Sequence, residues 1–212
     1  AMYVGVSMPE LATDQHVPEL ARQGKAAQKQ FHAWGHKRPL MYRIFMPDAS
    51  PAAIAVGLKH GQNYCWDAGQ CRLRYAWYGG FVDPSPVWRG NGNGLAGVLG
   101  TKYWESKMPG TIRVGGGDSE PEFLGYKKVD GQPEFHFRIN DTDVYELITP
   151  LHSIIGIQRS FRIPNNTQPI SLPVGPTSRV AFEHSAGKLE NGLLTLSAEE
   201  ARAFTVFIGL IK

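Results

Sequence analysis

Residues Asn63 to Trp77 constrain this chain more than any other stretch, because they read as one β-hairpin. Gln62 to Asp67 is an apolar-polar run, Ala68-Gly69-Gln70 is a turn, and Cys71 to Tyr78 follows and ends at Gly79-Gly80. Within the second arm Leu73, Tyr75 and Trp77 share one parity, and Arg72, Arg74 and Ala76 the other. That period of two is the mark of a strand with two differently used faces. It predicts Leu73, Tyr75 and Trp77 together on the core side.

Similar runs recur along the chain. Tyr42 to Met46 alternates and stops at Pro47-Asp48, and Ala53 to Leu58 is a short apolar run. Phe123 to Val129, Glu134 to Asn140 and Val144 to Thr149 are parted by Asp130-Gly131 and Asn140-Asp141, the spacing of a hairpin meander. Ser153–Ile163, Arg179–His184, Gly192–Leu196 and Ala203–Leu210 complete the set. Short strands at intervals of roughly 8–12 residues predict a mainly β protein, an antiparallel β-sandwich. A length of 212 residues suits one such domain, and 24 Gly with 15 Pro supply the turns it needs.

Two segments depart from this pattern. Residues 1–38 are expected to be an N-terminal linker or helical segment, with one short helix from Pro18 to Ala33, and residues 39–212 to form the sandwich. Residues 79–121 are rich in Gly, Pro and Asn yet keep Phe81, Trp88, Tyr103 and Trp104, which predicts a long, ordered loop region. Net charge is only +3, with basic residues dispersed among acidic ones, so no nucleic-acid stripe is formed. No window reaches the 18 or more apolar residues of a membrane span.

Few residue groups point to chemistry. Cys65 and Cys71 are the only cysteines, spaced C-x5-C across the hairpin turn. On antiparallel strands that spacing can set them opposite each other for a disulfide, the alternative being two independent buried thiols. His32 and His36 have an i,i+4 spacing that suits a metal on a helix, but Gly35 lies between them and no carboxylate partner is spaced to help. No metal site and no cofactor is therefore assigned to the chain. Asp67, Asp83 and Glu134 can serve as acid/base carboxylates, although turn aspartates commonly serve local hydrogen bonding. P-loop, Rossmann and nucleophile-elbow motifs are absent. The density of aromatics in the hairpin and the glycine-rich region is the stronger signal. Trp66, Asp67, Trp88, Tyr103 and Trp104 are the candidate ligand-binding residues, since tryptophan and tyrosine faces stack on sugars and anchor interfaces.

Several runs carry a family resemblance: Arg38 to Pro47, Ala53 to Leu58, Asn63 to Phe81, Trp88 to Gly92, Leu99-Gly100, Phe123 to Tyr126 and Glu134 to Arg138. Together they resemble an uncharacterised domain of large exported bacterial proteins. Those proteins also carry c-type cytochrome modules, some with quinoprotein-like or sugar-dehydrogenase-like domains. The resemblance covers residues 38–140 well and brings no catalytic residue with it. It implies a periplasmic or extracellular location, haem c in a neighbouring domain, and a cytochrome domain or redox partner. The expected function is a non-catalytic accessory module that docks such a partner or a polysaccharide. The alternatives are a carbohydrate-active or sugar-oxidising enzyme domain using carboxylates, and a small metal-binding electron carrier using His, Met and a free Cys.

Overall fold

The computed structural model describes residues 38–89, 93–117, 121–175 and 180–210. The helix expected at Pro18–Ala33, the pair His32 and His36, and Gly90 to Gly92 lie outside them. Among the described residues fifteen strands form three antiparallel sheets. Five consecutive strands make the first sheet as a plain meander: β1 (Leu40–Arg43), β2 (Ala53–Gly57), β3 (Gln62–Asp67), β4 (Arg72–Asp83) and β5 (Gly97–Glu105). The second sheet contains β7 (Glu122–Val129), β8 (Gln132–Ile139), β9 (Thr142–Pro150), β10 (Gly156–Arg162), β12 (Val180–His184) and β15 (Ala203–Leu210), in the order β12-β15-β10-β9-β8-β7. A small third sheet joins β13 (Lys188–Glu190), β14 (Leu193–Leu196), β11 (Ile170–Pro173) and β6 (Arg113–Val114).

The first two sheets pack face to face as a β-sandwich. The β7–β8–β9 meander arises where its turn residues place it. Asp130 (φ 48°) and Gly131 (φ 82°) form a two-residue loop with both φ positive, the conformation that matches strand twist. On the inner face Phe135, Phe137, Val144, Ile148, Ile157, Phe161, Phe204, Val206 and Ile208 meet Ile54, Val56, Tyr64 and Trp66 of the first sheet. Side chains of this size are each worth roughly 1.5–3 kcal/mol on full burial, so this layer supplies most of the driving force.

The centre of the first sheet is buried on both faces. Its outer face carries a second apolar cluster of Leu40, Ala55, Cys65, Tyr75, Trp77, Phe81 and Val82, joined by Ile44 and Met46 from the β1–β2 connection. Every residue of β2 and β3 is buried, so no polar face marks their solvent side.

This architecture corrects the reading of the hairpin. Trp66 pairs with Leu73 but Cys65 pairs with Tyr75, leaving Arg74 as an extra residue, a β-bulge. Beyond a bulge the side-chain parity inverts. Leu73 therefore faces the second sheet, while Tyr75 and Trp77 face the outer cluster and Ala76 takes the inner position. A second bulge at Tyr103, between the pairs Ala76↔Trp104 and Trp77↔Lys102, turns both Tyr103 and Trp104 toward the inner core.

The glycine-rich region is also more regular than its composition suggests. β4 runs on through Gly79-Gly80 to Asp83, and β5 occupies Gly97–Glu105. Gly79 (φ 111°) bends β4, and a β-carbon on Gly100 would lie 2.2 Å from the Tyr78 carbonyl oxygen. The Asn63 amide donates to the carbonyls of Gly79 and Gly80, and the Trp77 indole donates to those of Gly80 and Phe81. The glycines thus mark a bulged, closely approached strand pair. A short helix, α1 (Ser85–Arg89), follows β4. Among the described residues no helix is long and apolar enough to cross a membrane.

Candidate functional site

Cys65 and Cys71 are free thiols. The expected disulfide is corrected by the same register: Cys65 sits opposite Tyr75 in the outer cluster, and Cys71 lies in the turn at φ 47° with its side chain in the inner cluster. A sheet stands between them. Burial pushes both thiols up to about 12, so neither is a thiolate near neutral pH.

The residues singled out for ligand binding separate into two groups. Trp66 is fully buried, and its ring stacks on Phe135 at 4.1 Å and 3°. Its indole Nε1 donates to Glu146 Oε2 at 2.9 Å. Glu146 Oε1 in turn accepts from Arg159 Nε at 2.6 Å, and both partners of this ion pair are inside the sandwich. Tyr103 and Trp104 are buried in the same core. Asp67 is fully buried and accepts from the Ser50 amide, the Ser50 hydroxyl and the amides of Gly69 and Gln70. It ties the β1–β2 connection to the hairpin turn. Trp88 is different: it is 44% exposed.

The enzyme candidates are likewise occupied. Asp83 accepts the Ser85 amide at 2.9 Å where the chain enters α1. Glu134 lies on the outward side of β8, paired with Lys127 and Arg162. Among the described residues no group of three or more His, Cys, Asp or Glu side chains is arranged to hold a metal ion.

Trp88 lines a groove of about 640 Å3 along the open side of the sandwich. β1 is the edge strand of the first sheet and β7 the edge strand of the second, and both contribute to it. Met41 and Phe123 reach into it from the inter-sheet core, with Ile54 behind them. Tyr42, Tyr126 and Trp88 line it as well, and Tyr126 is 50% exposed. Tyr42 packs its ring edge-on against Phe81 at 6.2 Å, which ties it to the outer cluster. The exposed guanidinium of Arg43 adds a charged donor. The volume falls in the range of small-molecule sites, roughly 300–1,000 Å3.

Of the five residues expected to bind a ligand, the groove takes only Trp88. Tyr42, Arg43 and Tyr126 were not anticipated, because strand periodicity does not reveal which strands end up at a sheet edge. Neither was the Glu146–Arg159 pair, although a signal for it exists. Glu146 is in phase with the core residues Val144 and Ile148, and Arg159 with Ile157 and Phe161. No protein-family model, curated protein or solved structure matches this chain.

Proposed function

We propose that this chain is a non-catalytic binding module of a larger exported protein, and that it takes a polysaccharide on the groove between β1 and β7. One observation carries the reading: Trp88 and Tyr126 stand half-exposed around an apolar floor at the meeting of two sheet edges. A sugar ring presents an apolar C–H face and a rim of hydroxyls. Indole and phenol rings stack on the first, while the Tyr hydroxyls and the Arg43 fork serve the second. Large exposed aromatics grouped in a concave site are uncommon unless they meet a partner.

The link to c-type cytochrome chemistry rests on the family resemblance of residues 38–140. The domain order of the full-length gene product tests it directly, since a neighbouring C-x2-C-His module is required. The enzyme alternative has less support, because Asp67 is buried with both oxygens accepting from Ser50 and the turn amides, and Asp83 Oδ1 accepts the Ser85 amide.

Depletion assays against a panel of insoluble polysaccharides test the binding reading. At least one glycan is expected to retain the protein. Trp88→Ala and Tyr126→Ala should each weaken retention about tenfold, the loss of roughly one stacked ring, with an unchanged melting temperature. Retention by no glycan, or equal retention of both variants, refutes it.

A further inference from the structure

We propose a second binding site, for an oxyanion group, in the cavity beside the β3–β4 turn, with Arg72 and Arg74 as its cationic donors. The cavity measures about 890 Å3 and is bounded by Gly69-Gln70 of the turn, by Glu105 at the end of β5 and by residues 106–111 that follow it. It is separate from the aromatic groove and shares no lining residue with it.

Arg72 is the unusual feature. It is only 6% exposed, yet it lines this open cavity. Its Nη1 donates to the carbonyls of Met108 at 3.0 Å and Gly110 at 2.7 Å, which fix the guanidinium without neutralising it. Its Nε is enclosed and meets no acceptor. The nearby acids are committed elsewhere: Glu146 to Arg159 and Trp66, and Asp67 to Ser50 and the turn amides. Burial, followed by repulsion from Arg74, pulls the Arg72 guanidinium down to about 10 despite an opposing pull from Asp67. A buried cation in this state lacks a counter-charge, and such charges are normally paired.

The rim adds further positive charge. Arg74 Nε donates to the Asp48 carbonyl at 2.6 Å, which orients its fork, and Lys107 stands on the opposite loop. The rim carboxylates Asp48 and Glu105 both face Lys102, at 3.4 and 3.9 Å. The guanidinium N–H groups that these carbonyls leave over suit the oxygens of a carboxylate or a phosphate. An acidic sugar and a phosphate ester share that chemistry.

Titration of the intact protein by amide-resolved NMR at constant ionic strength tests the site. Inorganic phosphate and D-glucuronate are the two probes, with chloride and D-glucose as controls. Saturable shifts are expected around Gly69–Arg74 and Ser106–Thr111 with at least one probe, and the tighter one identifies the source. Arg74→Gln and Arg72→Lys should each weaken binding about tenfold or more, the loss of one charge-assisted contact. Trp88→Ala should leave it unchanged, which separates this site from the groove. Arg74 is partly exposed, so Arg74→Gln carries the test alone if Arg72→Lys fails to fold. Shifts that rise linearly with both probes as they do with chloride overturn the proposal. Saturable binding that Arg74→Gln leaves intact overturns it too.

Discussion

Glu146→Gln is the most informative single change in the interior. The carboxylate is shielded from solvent and holds two donors, the Trp66 indole and the Arg159 guanidinium, at 2.9 and 2.6 Å. A glutamine keeps an acceptor for the indole but leaves Arg159 as a buried, uncompensated cation. Breaking a buried pair in this way costs about 3–5 kcal/mol. For a domain of this size each kcal/mol moves the melting temperature by roughly 2–4 °C, so a fall of about 6–20 °C is expected. Arg159→Met should cost as much, by stranding the carboxylate. The double variant carries no buried charge and one orphan amide, so it should lose only about 1–3 kcal/mol, less than either single change. Urea unfolding of all four proteins at neutral pH decides the matter. Single variants within about 1 kcal/mol of the parent, or a double variant whose loss is the sum of the singles, would refute the account of a buried, mutually dependent pair.

Two further expectations follow from the first sheet. Thiol titration without reductant should find two free thiols in guanidinium and almost none reacting quickly in the native protein; a single disulfide-bonded species would contradict the opposite-face placement. Gly100→Ala should destabilise the fold by about 1–3 kcal/mol through its clash with Tyr78, measured by thermal unfolding; an unchanged melting temperature would show that the β4–β5 bulge relaxes freely.

The sequence made the second sheet legible and left much of the first hidden, for physical reasons. β8 and β9 alternate, and Asp130-Gly131 marks the turn between β7 and β8, so their positions follow from period and turn chemistry, whereas a bulge between Phe123 and Gly125 breaks the period of β7. The hairpin of β3 and β4 alternates as clearly, yet one extra residue at Arg74 reverses the faces. A bulge adds no residue type that period counting can detect. That inversion separated Leu73 from Tyr75 and Trp77. The C-x5-C spacing measured chain length between the thiols, while bonding depends on which face each occupies. Gly79-Gly80 and Gly100 read as loop because glycine is scarce in strands, whereas here its missing side chain is what lets β4 and β5 approach. The candidate groove was legible only in Trp88, since Tyr42 and Tyr126 become important through edge positions that tertiary assembly creates.

The strand order also bears on how the chain can assemble during synthesis. The first sheet adds each strand beside its predecessor, so it can form as residues 40–105 emerge, from contacts that are near in sequence. The second sheet cannot close in this way. β15, at Ala203–Leu210, lies between β10 and β12, so both keep an open edge until about the last ten residues of the described chain are made. Until then the apolar face of β10, including Ile157 and Phe161, has one flank without its neighbour. The interval between synthesis of Arg162 and Leu210 is therefore the period in which this protein is most open to misassociation through exposed strand edges.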